Sequence, residues 1–247
     1  LHVKNRELLK HGQTLASLKD DTYKTQTGGI LYYSTANPKN KKKRKTKKLF
    51  TGSLYWIPEE THQLSPIDLE NLKIKDGTYL KKDSFILPNL VSNVSGIVQI
   101  DLSTSELIIK PGELYQLNDE IDLFDKSSRF IEPGEVIFTQ TTNLVVQKLS
   151  YLEIRSLSGI KYVLIRPVIR YQIPTEKGFV LKHRFFPTNN MRGVAFRTVK
   201  RIFYKDGEKI KANNSGVDLL KTFLVLEIKR QDPKLDVHLD YLPLDNN

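Results

Sequence analysis

The chain has 247 residues, 39% of them hydrophobic and including 11 Tyr and 11 Phe, which is enough apolar material for packed cores and too much for a disordered tail. It contains no cysteine, so disulfides, thiol nucleophiles and thiolate metal sites are excluded and the cores must hold by packing alone. The formal net charge of +11 points toward polyanions until its distribution along the chain is considered.

Leu1 stands first and no apolar run of about 18 residues occurs, so the expectation is a soluble fragment of a longer protein. Residues 1–16, LHVKNRELLKHGQTLA, align without a gap on residues 72–87, LKIKDGTYLKKDSFIL. Val3 matches Ile74, Lys4 matches Lys75, Leu9 matches Leu80 and Leu15 matches Ile86. A shorter third copy, FIEPGEVIF at 130–138, places Ile131, Gly134 and Ile137 where Leu9, Gly12 and Leu15 stand. Each copy reads as a β-prone stretch, a polar turn (Lys4 to Glu7, Lys75 to Thr78), an apolar pair, a second turn and another β-prone stretch, with no helical period.

After the first two copies come TQTGGILYY at 25–33 and SNVSGIVQI at 92–100, in which Gly29 and Gly96 hold the same place. Glycine there predicts close backbone approach or a sharp strand bend. Residues 39–48, KNKKKRKTKK, carry eight basic groups: Lys39, Lys41, Lys42, Lys43, Arg44, Lys45, Lys47 and Lys48. Setting them aside from the 39 basic residues leaves 31 against 28 acidic ones, a surplus of 3. The run has no apolar face and reads as a solvated loop that attracts any polyanion through counterion release. Lys41, Lys42, Lys43, Arg44, Lys45, Lys47 and Lys48 are the candidate electrostatic contact residues.

From about residue 151 longer strands are expected at 162–173 (YVLIRPVIRYQI), 194–204 and 222–229, with Pro167 marking an edge or bulge. Asp206-Gly207 in YKDGEKI predicts a tight hairpin joining residues near 204 to 210. Residues 231–247 read as an irregular tail.

No reactive constellation emerges. His2, His11, His62, His183 and His238 have no metal-ligand spacing, and each reads as a surface or hydrogen-bonded structural residue. Asp119, Glu120 and Asp122 lack calcium-loop spacing, and the adjacent Glu59 and Glu60 point to opposite faces of a strand. The aromatic residues are spread along strands and read as core. No catalytic, cofactor-binding or metal-binding residue is assigned.

The turn and glycine grammar resembles the barrel-sandwich hybrid fold of biotin and lipoyl carrier domains and of modules inserted in multisubunit RNA polymerases. Carriers present their lysine in a Met-Lys-Met setting, and the single methionine, Met191, is far from the repeats, which disfavours a carrier. Residues 49–64, LFTGSLYWIPEETHQL, with the core Ile57-Pro58-Glu59-Glu60-x-His62, resemble the beta'' subunit of plastid RNA polymerases and its cyanobacterial counterpart. So do Tyr162 to Val168, and Val199 to Gly207 followed by Leu219 to Leu226.

The resemblance implies a mostly β chain of tandem barrel-sandwich hybrid modules built from hairpins, with little helix. The expected divisions are a first module at 1–58 carrying the 39–48 loop, second and third modules at 59–150, and a further β module at 151–247 ending in the irregular tail. It implies a non-catalytic insertion that biases the trigger loop. Magnesium and zinc are expected elsewhere in the whole enzyme and no cofactor in this segment. The implied partners are the alpha, beta and beta' subunits, a sigma-type initiation factor or plastid accessory proteins, and DNA and RNA for the whole complex, with no membrane. The implied location is the plastid stroma or nucleoid, with the cyanobacterial cytoplasm as the alternative. The competing reading is an independent basic β module that binds RNA or DNA through residues 39–48.

Overall fold

The computed structural model describes residues 1–33, 52–117, 128–157, 159–173, 194–228 and 237–238. The basic run 39–48, the acidic residues Asp119, Glu120 and Asp122, His183, Met191, and residues 231–236 and 239–247 of the tail lie outside the described residues. The described chain is mostly β-strand, as expected, with one α-helix, Pro66–Asn71. Ser65 Oγ accepts from Asp68 N at 3.2 Å and Asp68 Oδ2 accepts from Ser65 N at 3.0 Å, a reciprocal cap followed by Pro66 at the first helical position. The helix spans too few turns to leave a period in the sequence, which is why periodicity gives no sign of it.

The repeated hairpins fold alike. Leu9, Leu80 and Ile131 are buried, and so are Leu15, Ile86 and Ile137. Between them Gln13 N donates to Lys10 O at 3.0 Å, Ser84 N to Lys81 O at 3.2 Å and Glu135 N to Glu132 O at 3.3 Å. The third residue of each turn has positive φ, +78° at Gly12, +63° at Asp83 and +92° at Gly134, which restricts the position to Gly or a short polar residue. Each turn then docks on a residue outside it. Gly12, Asp83 and Gly134 donate to the carbonyls of Leu226, Ser92 and Val146 at 2.8 Å, and those three residues donate back to Gln13, Ser84 and Glu135.

A further copy of the first turn begins at Lys205, where Glu208 N donates to Lys205 O at 3.2 Å as Thr78 N does to Lys75 O. The expected hairpin of residues 204 to 210 does not form. Glu208–Ile210 instead pairs antiparallel with Gly28–Tyr33, placing Ile210 opposite Gly29. Asp206 Oδ1 accepts from Tyr33 N at 2.8 Å, as Asp76 Oδ1 does from Ile100 N, so the turn is specified by a strand distant in sequence.

Three ribbons share one register. Gly29 faces Pro58, Gly96 faces Pro111 and Ser150 faces Pro167. Alongside them Ile210, Leu80 and Ile131 face Gly29, Gly96 and Ser150 in turn. A Cβ on Gly29 would lie 2.3 Å from Ile57 O, and one on Gly96 would lie 2.1 Å from Lys110 O, which confirms the expected close approach.

Four apolar clusters result. The first unit holds Tyr23, Leu31, Leu54, Trp56, Ile173, Ile210 and Leu219. The second holds Leu80, Ile86, Val98, Leu107 and Ile109; the third holds Leu117, Ile131, Ile137, Val146, Leu152 and Val163. The fourth joins Val3, Leu9 and Leu15 to Leu226. The first and fourth are drawn from both halves of the chain, across the expected divisions at residues 58 and 150. The long strand Gly52–Gln63 binds the first two units into one sheet: it pairs with Gly28–Tyr33 and Ile169–Ile173 near its start and with Glu106–Pro111 near its end. The strand expected at 162–173 is two strands, Ile160–Pro167 and Ile169–Ile173, and the break after Pro167 sends them to different sheets. Val194–Arg201 and Lys221–Ile228 pair with each other, and Thr14–Leu18 adds to the free side of the latter.

Candidate functional site

The first three units meet at charged residues that sit beside the register prolines. Alternation puts Glu59 on the same strand face as Ile57, and Arg166 on the same face as Leu164, so both charges point inward. The Arg166 side chain is 1% exposed, and its Nη2 donates to Glu59 Oε1 at 3.0 Å and to Pro58 O at 3.2 Å. Its Nη1 donates to Glu153 Oε2 at 3.0 Å. Lys110 Nζ lies 2.8 Å from Glu153 Oε1, Lys209 Nζ lies 3.3 Å from Glu59 Oε2, and Arg155 also binds Glu153.

One cluster thus gathers Glu59 from the first unit, Lys110 from the second, and Glu153 and Arg166 from the third. Burial pushes the Lys110 ammonium below its usual range, with Glu153 opposing it. Burial would raise the Glu153 carboxyl, but Lys110, Arg166 and Arg155 together hold it below the usual carboxylate range. Desolvating such charges costs several kcal/mol per ion, so the cluster contributes geometry more than net stability.

The next residue of the long strand, Glu60, faces the other way, as alternation predicts. It accepts from His62 Nε2 at 2.6 Å, from Asn93 N at 3.0 Å and from Asn93 Nδ2 at 2.9 Å, tying the strand to the second unit. Burial raises its carboxyl, and the bonds from His62 and Asn93 outweigh that and hold it below the usual range. A carboxyl lowered by folding adds stability that is full above its unfolded pKa of about 4.3 and is lost as pH falls through the folded value. Glu60→Gln is therefore expected to flatten the drop in urea midpoint between about pH 5 and pH 3. An acid limb identical to that of the parent contradicts this assignment.

The aromatic residues are less dispersed than the sequence implies. Tyr32 and Tyr55 of the first unit meet Phe130 and Tyr151 of the third, with Tyr32 to Phe130 at 5.3 Å, Tyr32 to Tyr151 at 5.8 Å and Tyr55 to Phe130 at 5.2 Å between centroids. All four are half-buried and form a second seam between these units.

Of the candidate contact residues, Lys41, Lys42, Lys43, Arg44, Lys45, Lys47 and Lys48 lie outside the described residues. His2 bonds Ser17 Oγ at 2.6 Å and His11 Nδ1 accepts from Ile228 N at 3.0 Å, so these histidines and His62 are tied into the framework. Among the described residues no group of three or more His, Asp or Glu could hold a metal. No motif in the sequence marks Arg166, Glu153 or Lys110 for a role. The available signal was parity, an arginine in step with buried apolar neighbours along Ile160–Pro167.

No family model matches the chain. It is 42% identical over 246 residues to a protein of Emiliania huxleyi named DNA-directed RNA polymerase subunit beta'', a match covering 98% of this chain and 19% of that protein. Proteins of the same name from Porphyra purpurea and Cyanophora paradoxa are 35% and 30% identical, over 95% and 100% of this chain and 19% of each of theirs. The chain spans about one fifth of the length of the curated relatives it matches.

Proposed function

Because this chain belongs to the beta'' family of DNA-directed RNA polymerase subunits, as a segment matching 19% of their length, we propose that it serves a multisubunit enzyme copying DNA into RNA as a non-catalytic element of shape and contact. The observation that supports this is the similarity along nearly the whole chain, joined to repeated small β units whose buried charges are spent on one another. On this reading the units are sandwich-barrel hybrid modules of an insertion in the trigger loop, able to bias its movement through their attachment points. Their partners are the alpha, beta and beta' subunits and a sigma-type or accessory protein, and the compartment is the plastid. The catalytic magnesium and the structural zinc belong to other parts of the enzyme. Residues 39–48 add a sequence-independent attraction for polyanions.

The test is deletion of this segment from the assembled polymerase. Single-nucleotide addition is expected to persist while pausing or factor binding changes. Complete loss of phosphodiester formation in a correctly assembled deletion enzyme overturns the proposal.

A further inference from the structure

Residues 113–167, which carry the third unit, connect to the remainder through two short crossings. Glu106–Pro111 of the second unit passes through Gly112 into Glu113–Gln116, and Ile160–Pro167 passes through Val168 into Ile169–Ile173 of the first unit. Both crossings line one cleft of about 650 Å³, walled on the far side by Leu144 to Ser150. Among the described residues the sheets of the third unit include no strand of the other units, whereas the first and second units share the long strand.

One crossing is tied to the second unit at Gly112, whose N donates to Ser95 O at 3.1 Å and whose O accepts from Tyr79 Oη at 3.1 Å; beyond that crossing, side chains orient the third unit. Arg166 reaches Glu59 and Pro58 O, Lys110 reaches Glu153, and the aromatic seam of Tyr32, Tyr55, Phe130 and Tyr151 adjoins them, with Tyr151 directly opposite Arg166 in its strand pair. Apolar and aromatic contacts tolerate sliding, but a guanidinium bonded to two carboxylates and a carbonyl does so in few orientations. We propose that the third unit is hinged at Gly112 and Val168 and is latched in one orientation by the buried cluster of Arg166, Glu59, Glu153 and Lys110. Release of the latch lets the cleft widen while each apolar core stays folded. This inference is independent of the polymerase reading.

The chain has no native cysteine, so pairs of spin labels can be placed without interference. Leu102→Cys with Ile160→Cys spans the second and third units, and Leu102→Cys with Asn214→Cys spans the second and first; Leu102 is 74% exposed and Ile160 40%. In pulsed electron resonance Arg166→Met is expected to broaden and shift the 102–160 distance distribution and to leave the 102–214 distribution unchanged. Glu153→Gln, which keeps a side chain of the same shape, is expected to act in the same direction to a smaller extent. Unchanged distributions in both variants overturn the latch, and so does equal broadening of both pairs. Loss of the folded circular dichroism signal in both variants also overturns it, because a latch that only orients units must leave their cores intact.

Discussion

Trp56→Ala is expected to destabilise the chain by about 3–5 kcal/mol, the range for truncating a fully buried large aromatic side chain. Trp56 is 0% exposed and packs in the first unit with Leu31, Leu54, Ile210 and Leu219, residues supplied by both halves of the chain. A cavity there has to be filled by moving three elements at once: Gly28–Tyr33, Glu208–Ile210 and the long strand. The indole Nε1 is buried with no hydrogen-bond partner among the described residues, so Trp56→Phe removes that donor along with the lost volume and is expected to cost less. Urea unfolding followed by circular dichroism measures both. Trp56 is the single tryptophan of the sequence, so parent emission excited selectively at tryptophan reports the first unit. A Trp56→Ala midpoint equal to that of the parent refutes the burial argument.

Gly96→Ala is expected to cost about 3 kcal/mol, the upper end of ordinary overpacking. Its Cβ would meet Lys110 O at 2.1 Å and Pro111 Cα at 2.9 Å, and both are backbone atoms of the paired strand with no flexible tip to swing aside. Relief requires opening the ribbon that also carries Lys110 into the charge cluster, so damage to the ribbon spreads to the junction. Gly134 is the control: nothing lies within 4 Å of its added Cβ, and only its φ of +92° opposes substitution. Gly134→Ala is expected to cost about 1–2 kcal/mol. A Gly96→Ala variant no less stable than Gly134→Ala, compared by thermal unfolding, contradicts the close-approach account.

The parts of this fold legible in the sequence are those decided within a few residues. The turns at Lys10 to Gln13, Lys81 to Ser84 and Glu132 to Glu135 are written in local chemistry, and so are the buried pairs that flank them. Gly29 and Gly96 were legible as sites of close approach because no other residue fits them. Pairing over distance was not legible. The Asp206-Gly207 turn looks like a local hairpin, and its partner Gly28–Tyr33 is selected by Gly207 N bonding Leu31 O at 2.8 Å, a contact no local pattern encodes. A strand as short as Glu208–Ile210 has too few side chains to specify its own neighbour.

The junction was half legible in the same sense. Parity along Ile160–Pro167 and Gly52–Gln63 turns Arg166 and Glu59 inward, but nothing in either stretch says that they face each other. The aromatic seam escaped for the same reason, because its four rings come from four separate strands. The family resemblance held, and it rested on stretches that contain Glu59 and Arg166, which the structure joins in one ion pair.

Drawing the fourth core from both ends of the chain sets a schedule for synthesis. Thr14–Leu18 finds its neighbour in Lys221–Ile228, with Thr14 opposite Val225. At about 5–20 residues per second, a nascent chain holds that first hairpin without its partner strand for roughly 10–40 s. Leu9 and Leu15, buried in the finished fold, stay uncovered at the ribosome throughout that interval, the exposure that chaperones attend to.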